Sequence, residues 1–192
     1  MQGRNCLRRS LVNHTVVMDS DATDDARPPL VLTLCTGNAA RSVMAGAMLA
    51  SVGIQIETAG THVVEGQPMS RRTRDALAAV GFAADGHRSH QLTDQDVAGA
   101  DLIMAMAGEH VAFIRRRYPE AAAKTASIKR LVRDLAPGPP SLAERVPALG
   151  LAGQPVEPWE DVEDPAGGED EAYVSCAKEL ADLCAELIPR LG

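Results

Sequence analysis

Residues 30–49 read LVLTLCTGNAARSVMAGAML, and this stretch decides both the fold and the chemistry. Leu30, Val31, Leu32, Thr33 and Leu34 form a short apolar run of the kind that parallel sheets bury on both faces. The run ends at Cys35. Arg41 and Ser42 follow, and Val43, Met44, Ala47 and Met48 then recur at helical spacing. Between strand and helix, Thr36, Gly37, Asn38, Ala39 and Ala40 are small or turn-forming. Gly37 and Asn38 tolerate positive φ, so the backbone can curl and aim successive N–H groups at one point. The helix N-terminus adds its own unpaired N–H groups and the positive end of its dipole. A thiol held there is favoured as the thiolate. Arg41 offers a planar fork able to grip two oxygens of a phosphoryl group. Strand, cysteine, glycine-bearing loop, Arg-Ser and amphipathic helix in this order predict a nucleophile on the floor of an oxyanion cradle. That is phosphoryl transfer through a cysteine.

Composition sets the frame for this reading. The chain has 192 residues, 45% of them hydrophobic, which suits one domain with a substantial core. Two Phe, two Tyr and one Trp leave that core to Ala, Val, Leu, Ile and Met. A net charge of −7 argues against nucleic acid or an anionic membrane as a partner. Cys6, Cys35, Cys176 and Cys184 follow no paired pattern, and none forms CxxC, so a reducing cytoplasmic setting fits best. No apolar stretch approaches the roughly twenty residues that span a bilayer. Residues 1–28 mix Arg4, Arg8 and Arg9 with an acidic run and close on Pro28-Pro29, which predicts a disordered tail. Met18 is a candidate true start.

Outward from the central stretch, Gly53 is placed to end the first helix. Ile54, Ile56 and Thr58 alternate as a second strand closing on Ala59-Gly60-Thr61. Ser70 can cap a helix carrying Ala76, Leu77 and Val80, with Arg71, Arg72 and Arg74 on its solvated face. Residues 86–91, GHRSHQ, make a polar turn before a short helical piece at 94–98. Residues 101–106 read as a third buried strand, and Val111 and Ile114 belong to a helix broken at Tyr118-Pro119. Ser127–Val132 is a possible fourth strand. Residues 136–160 are rich in Pro and Gly and predict a long loop, either a substrate lid or disordered. An acidic segment follows, and the last helix, 172–191, carries Cys176 and Cys184 as core thiols on its apolar stripe. The alternation predicts an α/β fold: residues 29–192 as a single three-layer domain around a parallel sheet of about four strands flanked by helices.

These motifs resemble the low-molecular-weight protein-tyrosine phosphatases, and the likeness runs from about residue 30 to the end of the chain. The family loop Cys-x-Gly-Asn-x-x-Arg-Ser is met by Cys35, Gly37, Asn38, Arg41 and Ser42. Thr58-Ala59-Gly60-Thr61 resembles the family's Ser-Ala-Gly-Thr strand end, residues 101–106 its Asp-Leu-Ile strand, and Asp164-Pro165 its late Asp-Pro. The resemblance implies a flavodoxin-like topology. It also implies that Cys35 attacks phosphorus to give a cysteinyl-phosphate while Arg41 and the N–H groups of Thr36, Gly37, Asn38, Ala39, Ala40, Arg41 and Ser42 hold the equatorial oxygens. Ser42 is expected to hydrogen-bond the thiolate, Asn38 to hold the loop's shape, Asp164 to act as general acid and then base, and Thr58 and His87 to support the loop. No cofactor or metal is implied. The sequence departs from the family where Ala166, Gly167 and Gly168 follow the Asp-Pro in place of aromatics. It departs again at His62, Val63 and Val64 after Gly60-Thr61, and where Ala39 and Ala40 occupy the loop.

The expected substrate is a phosphoprotein or small phosphate ester, phosphotyrosine first, with inorganic phosphate or a similar oxyanion fitting the loop and a monomer or weak dimer as the assembly. Phosphoarginine is a further substrate that relatives handle. A thiol-dependent arsenate reductase using an external small thiol is the alternative on the same fold. A chain-internal cysteine relay would need two more cysteines, and residues 101–120 contain none. A phosphate-binding module without catalysis is the alternative from another class.

Overall fold

The computed structural model describes residues 27–192, so the expected N-terminal tail (apart from its last two residues) and the Met18 start lie outside the described residues. Within the described residues, four strands form one parallel sheet in the order β2-β1-β3-β4: β1 Leu30–Cys35, β2 Gln55–Gly60, β3 Leu102–Ala105 and β4 Thr125–Ser127. Among the described residues, seven α-helices cover it: α1 Arg41–Ala50, α2 Arg71–Ala79, α3 Asp94–Gly99, α4 Gly108–Arg117, α5 Ile128–Asp134, α6 Leu142–Ala148 and α7 Asp170–Leu191. This is the flavodoxin-like arrangement, in which the loops at the carboxyl ends of the strands build the site.

The alternation along β1 divides the core. Leu32 and Leu34 pack with Ala59, Val97, Ile103 and Ile114 on the α3–α4 face. Val31 and Cys35 pack with Met44, Met104, Leu131 and the α7 stripe of Ala177, Leu180, Cys184 and Leu187 on the other. β1 is central and buried on both sides, as its continuous apolar run requires. β2, at the edge, alternates between exposed and half-buried before sinking at Ala59-Gly60. Cys176 and Cys184 are free, buried thiols, in keeping with the core role read from the helix stripe.

Four expectations change. The first helix ends at Ala50, before a turn that leads to Gly53 at φ +88°. The fourth strand ends at Ser127, where a strand was expected to begin, because the Ser127 hydroxyl accepts from Arg130 N and caps α5. Ile128 and Leu131 then share a buried helical face. Residues 136–160 are no open loop. They hold α6 and two single turns of 3-10 helix, and Leu142, Val146 and Leu151 enter the core. Arg145 anchors this segment by donating to the carbonyls of Ala136, Pro140, Arg190 and Gly192. Finally, Arg72 is not simply solvated: it donates to Gly168 O at 2.6 Å and pairs with Glu169 and Asp170, joining α2 to the start of α7. Among the described residues, no helix is long and apolar enough to cross a membrane.

Candidate active site

Cys35 closes the central strand, and the chain turns there into a loop whose amides are left free. Among the described residues, the N–H groups of Thr36 to Arg41 donate to no carbonyl or side chain. A curled run of unpaired donors ahead of a helix N-terminus is an anion cradle. Asn38 makes the curl possible, taking a positive φ of 48° with its side chain wholly buried. Every polar group of that residue's side chain is engaged: Nδ2 donates to Ser42 Oγ at 3.0 Å, and Oδ1 accepts from His90 N at 2.9 Å. Its carbonyl accepts from Ser89 Oγ and lies 2.9 Å from His87 Nε2. Ser42 Oγ, so held, sits 3.0 Å from Cys35 Sγ.

Neighbouring elements fix the same loop from outside. Thr61 N and His62 N donate to the carbonyls of Cys35 and Thr36, and Thr73 Oγ1 donates to Ala39 O. Gly60 is required by contact: a Cβ there would lie 2.5 Å from Thr36 O and 2.9 Å from Asn38 N. Gly60 also exchanges backbone bonds with His90 and Leu92, which brings the 87–91 turn against Asn38.

Arg41, the first residue of α1, is buried and bridges to the late acidic segment. Its Nη1 donates to Val162 O at 3.2 Å and its Nη2 meets Asp164 Oδ2 at 2.5 Å. Asp164 Oδ1 accepts from Ala166 N at 3.1 Å. Above the cradle lies a cavity of about 120 Å³. Cys35, Gly37, Ala39, Ala40 and Arg41 form its floor, Ser70 and Thr73 one wall, and Asp164, Ala166 and Tyr173 the other. A tetrahedral oxyanion in the cradle would face the Cys35 sulfur, the Arg41 guanidinium fork and the Asp164 carboxyl group.

On the far side of the loop, Thr36 Oγ1 donates to Glu109 Oε1 and lies 3.0 Å from His110 Nε2. His110 is 1% exposed, and its Nδ1 has no partner among the described residues. Burial, reinforced by the Arg41 guanidinium and opposed by Glu109, Asp164 and Asp161, pushes its pKa down to about 4. The imidazole is therefore neutral at physiological pH.

The residues expected from the sequence separate into groups. Cys35, Gly37, Ala39, Ala40, Arg41 and Asp164 meet at the cavity. Thr36, Asn38 and Ser42 turn their side chains to the loop's supports and leave their amides to the cradle. His87 reaches the loop through Asn38 O. Thr58 does not reach it: its methyl packs toward Gly46 on α1, where a Cβ would stand 2.7 Å away. Thr58 and Gly60 share a face of β2, but Thr58 lies two positions, about 7 Å, back from the carboxyl end of the strand, and Gly60 is the β2 residue that touches the loop. Sequence reading passed over Thr73, Ser89, His90, His110, Val162 and Tyr173. Only the Ser-His pair following His87 carried a local signal, as a polar turn. Among the described residues, no group of three or more His, Cys, Asp or Glu is arranged to hold a metal.

The comparisons agree with this geometry. The family model described as low molecular weight phosphotyrosine protein phosphatase matches residues 30–137. The chain is 32% identical over 167 residues to a protein-arginine-phosphatase of Geobacillus stearothermophilus, covering 85% of this chain and 97% of that one. The solved structure of the YwlE arginine phosphatase from that organism superposes with a TM-score of 0.69 at 32% identity, covering 85% and 93% of the two chains. A low molecular weight protein tyrosine phosphatase from T. tengcongensis gives a TM-score of 0.65, also at 32% identity, covering 83% and 97%. The match begins at the first residue of the central strand and carries through the cradle to the sheet's far edge, and the chain accordingly belongs to the low molecular weight phosphotyrosine protein phosphatase family, whose members are cysteine-dependent phosphatases.

Proposed function

We propose that this chain dephosphorylates protein side chains, phosphotyrosine first, through a cysteinyl-phosphate on Cys35. The observation that carries the reading is the meeting of Cys35, Arg41 and Asp164 around one cavity above a ring of free amides. Cys35 Sγ attacks phosphorus, the bond to the leaving oxygen breaks, and Asp164 delivers the proton that oxygen needs. Arg41 and the cradle amides carry the charge on the equatorial oxygens. Water then attacks the phosphocysteine, giving its proton to Asp164, and the P–S bond breaks to release phosphate. The Ser42 hydroxyl, 3.0 Å from Sγ, stabilises the departing thiolate.

A second reading, phosphoarginine as substrate, is favoured by the nearly full-length likeness to a protein named a protein-arginine-phosphatase. The wall that Ala166 leaves small suits it as well, since a guanidinium leaving group needs no aromatic stacking surface. Free, buried thiols support a cytoplasmic enzyme, and the monomer or weak dimer follows the sequence expectation. The test measures kcat/KM on matched phosphotyrosine and phosphoarginine peptides for wild type, Cys35→Ala and Asp164→Ala, with arsenate reduction followed in parallel. Higher kcat/KM on phosphotyrosine, abolished by Cys35→Ala, is expected. The opposite ranking selects the second reading. Thiol-dependent arsenite production without hydrolysis, or silence in both assays, overturns both in favour of a reductase or a binding module.

A further inference from the structure

The segment that carries Asp164 is held by a buried ion pair, Glu160 with Arg130, that does not line the cavity. Glu160 is 1% exposed, and its carboxylate accepts four hydrogen bonds: from Arg130 Nε at 3.0 Å, from Arg130 Nη2, from Ser127 Oγ at 2.7 Å and from Glu157 N at 2.9 Å. Burial opposes the charge on Glu160, but the bonds from Arg130, Ser127 and Glu157 outweigh it and hold its pKa below the ordinary value. Arg130, 4% exposed, spends its remaining donors on Gln154 Oε1 and Pro155 O. Two charges are thus removed from water, and neither has an unpaired group. Such a pair adds little net stability over an apolar one, but breaking it leaves an uncompensated charge and displaces what it holds.

What it holds is the approach to Asp164. Residue by residue after Glu160, the chain is pinned to the carboxyl edge of the sheet. Asp161 Oδ1 accepts from Gly108 N at 2.7 Å, at the start of α4, and Asp161 O accepts from Lys129 Nζ at 2.6 Å. Val162 N donates to Met106 O at 2.8 Å, beyond β3, and Val162 O accepts from Arg41. Asp164 follows two residues later with its own side chain 44% exposed, so packing does not locate it. Its carboxyl group meets Arg41 Nη2 and Ala166 N, and where its backbone stands to make those contacts is set by the segment behind it.

We propose that Glu160 and Arg130 are positioning residues for Asp164: by anchoring the 160–162 segment to β4 and α5, they set where the carboxyl group meets the leaving atom. This rests on the reading of Asp164 as the general acid. Protonation of the leaving group matters in proportion to its basicity, so a misplaced acid has a signature that general loosening lacks. Nitrophenolate departs readily without a proton, whereas phenolate, with a pKa near that of tyrosine at about 10, does not.

The experiment compares kcat/KM for 4-nitrophenyl phosphate and phenyl phosphate in wild type, Glu160→Gln, Arg130→Lys, Gln154→Ala and Asp164→Ala, with thermal unfolding recorded for each. Glu160→Gln and Arg130→Lys are expected to lower kcat/KM for phenyl phosphate by about tenfold while changing the nitrophenyl ester by about twofold or less. Gln154→Ala should show the same split more weakly, and it carries the test if the ion-pair variants do not fold. Equal losses on the two esters, or no loss in folded variants, overturn the proposal. Asp164→Ala separates the two levels. If it discriminates between the esters and the Glu160 and Arg130 variants do not, the positioning role fails and the general acid stands. If Asp164→Ala itself does not discriminate, the reading of Asp164 fails and the proposal falls with it.

Discussion

Replacing His110 by glutamine should flatten the acid limb of the stability curve. His110 is 1% exposed, its Nδ1 is unpartnered among the described residues, and its pKa is pushed down to about 4 from an ordinary 6.5, chiefly by burial and then by Arg41. A base with a depressed folded-state pKa stays neutral in the fold while the unfolded chain takes up the proton. Its penalty is absent above the unfolded value, grows as pH falls from about 6.5 to about 4, and is constant below that. A shift of some two and a half units corresponds to at most about 3 kcal/mol, of which about 2 kcal/mol is felt on going from about pH 8 to about pH 5. Carboxylates titrate in both proteins, so the difference between wild type and His110→Gln isolates the histidine. Urea unfolding followed by the fluorescence of Trp159, the only tryptophan, reads that difference across the range. Wild type should lose about 2 kcal/mol more than the variant by about pH 5. Parallel curves would refute the claim that the fold holds this imidazole neutral behind Thr36.

Gly60→Ala should reduce kcat/KM by about a hundredfold, because its Cβ would lie 2.4 Å from Val63 Cγ2 and 2.5 Å from Thr36 O and the loop must move. Steady-state kinetics on a nitrophenyl ester checks this, and near-wild-type activity would mean the contact is not needed. Burial pushes the thiols of Cys176 and Cys184 up to about 12. Iodoacetamide at neutral pH should therefore leave both peptides unmodified in the native protein and label both in urea, as peptide mass mapping would show. Native labelling at either position would contradict their place in the core.

The sheet and the cradle were legible because both are written locally. A five-residue apolar run, a turn containing Gly37 and Asn38, and a helix beginning at Arg41-Ser42 are consecutive, and the structure keeps them so. The fourth strand was misplaced because Ile-Lys-Arg-Leu-Val suits a strand or a buried helical stripe equally well, and the Ser127 cap decides between them. The order within 136–160 was hidden because prolines and glycines outweighed three buried leucine and valine side chains and the anchoring of Arg145 at the end of α7. At the site, Cys35, Arg41 and Asp164, which line one cavity, were readable from motif order. Their supports were not. Ser89 and His90 meet Asn38 from 51 and 52 residues away, and Arg130 meets Glu160 across a stretch of irregular chain, so only the fold brings them together.

The most direct test of the account is a phosphoryl group caught on the nucleophile. Asp164→Ala, mixed with 4-nitrophenyl phosphate and quenched under denaturing conditions within the burst, should yield one phosphoryl group on the peptide that contains Cys35, located by mass spectrometry. The Cys35→Ala/Asp164→Ala double variant should yield none. A peptide without phosphate while nitrophenol is being released, or phosphate on another residue, would contradict a cysteinyl-phosphate mechanism at Cys35.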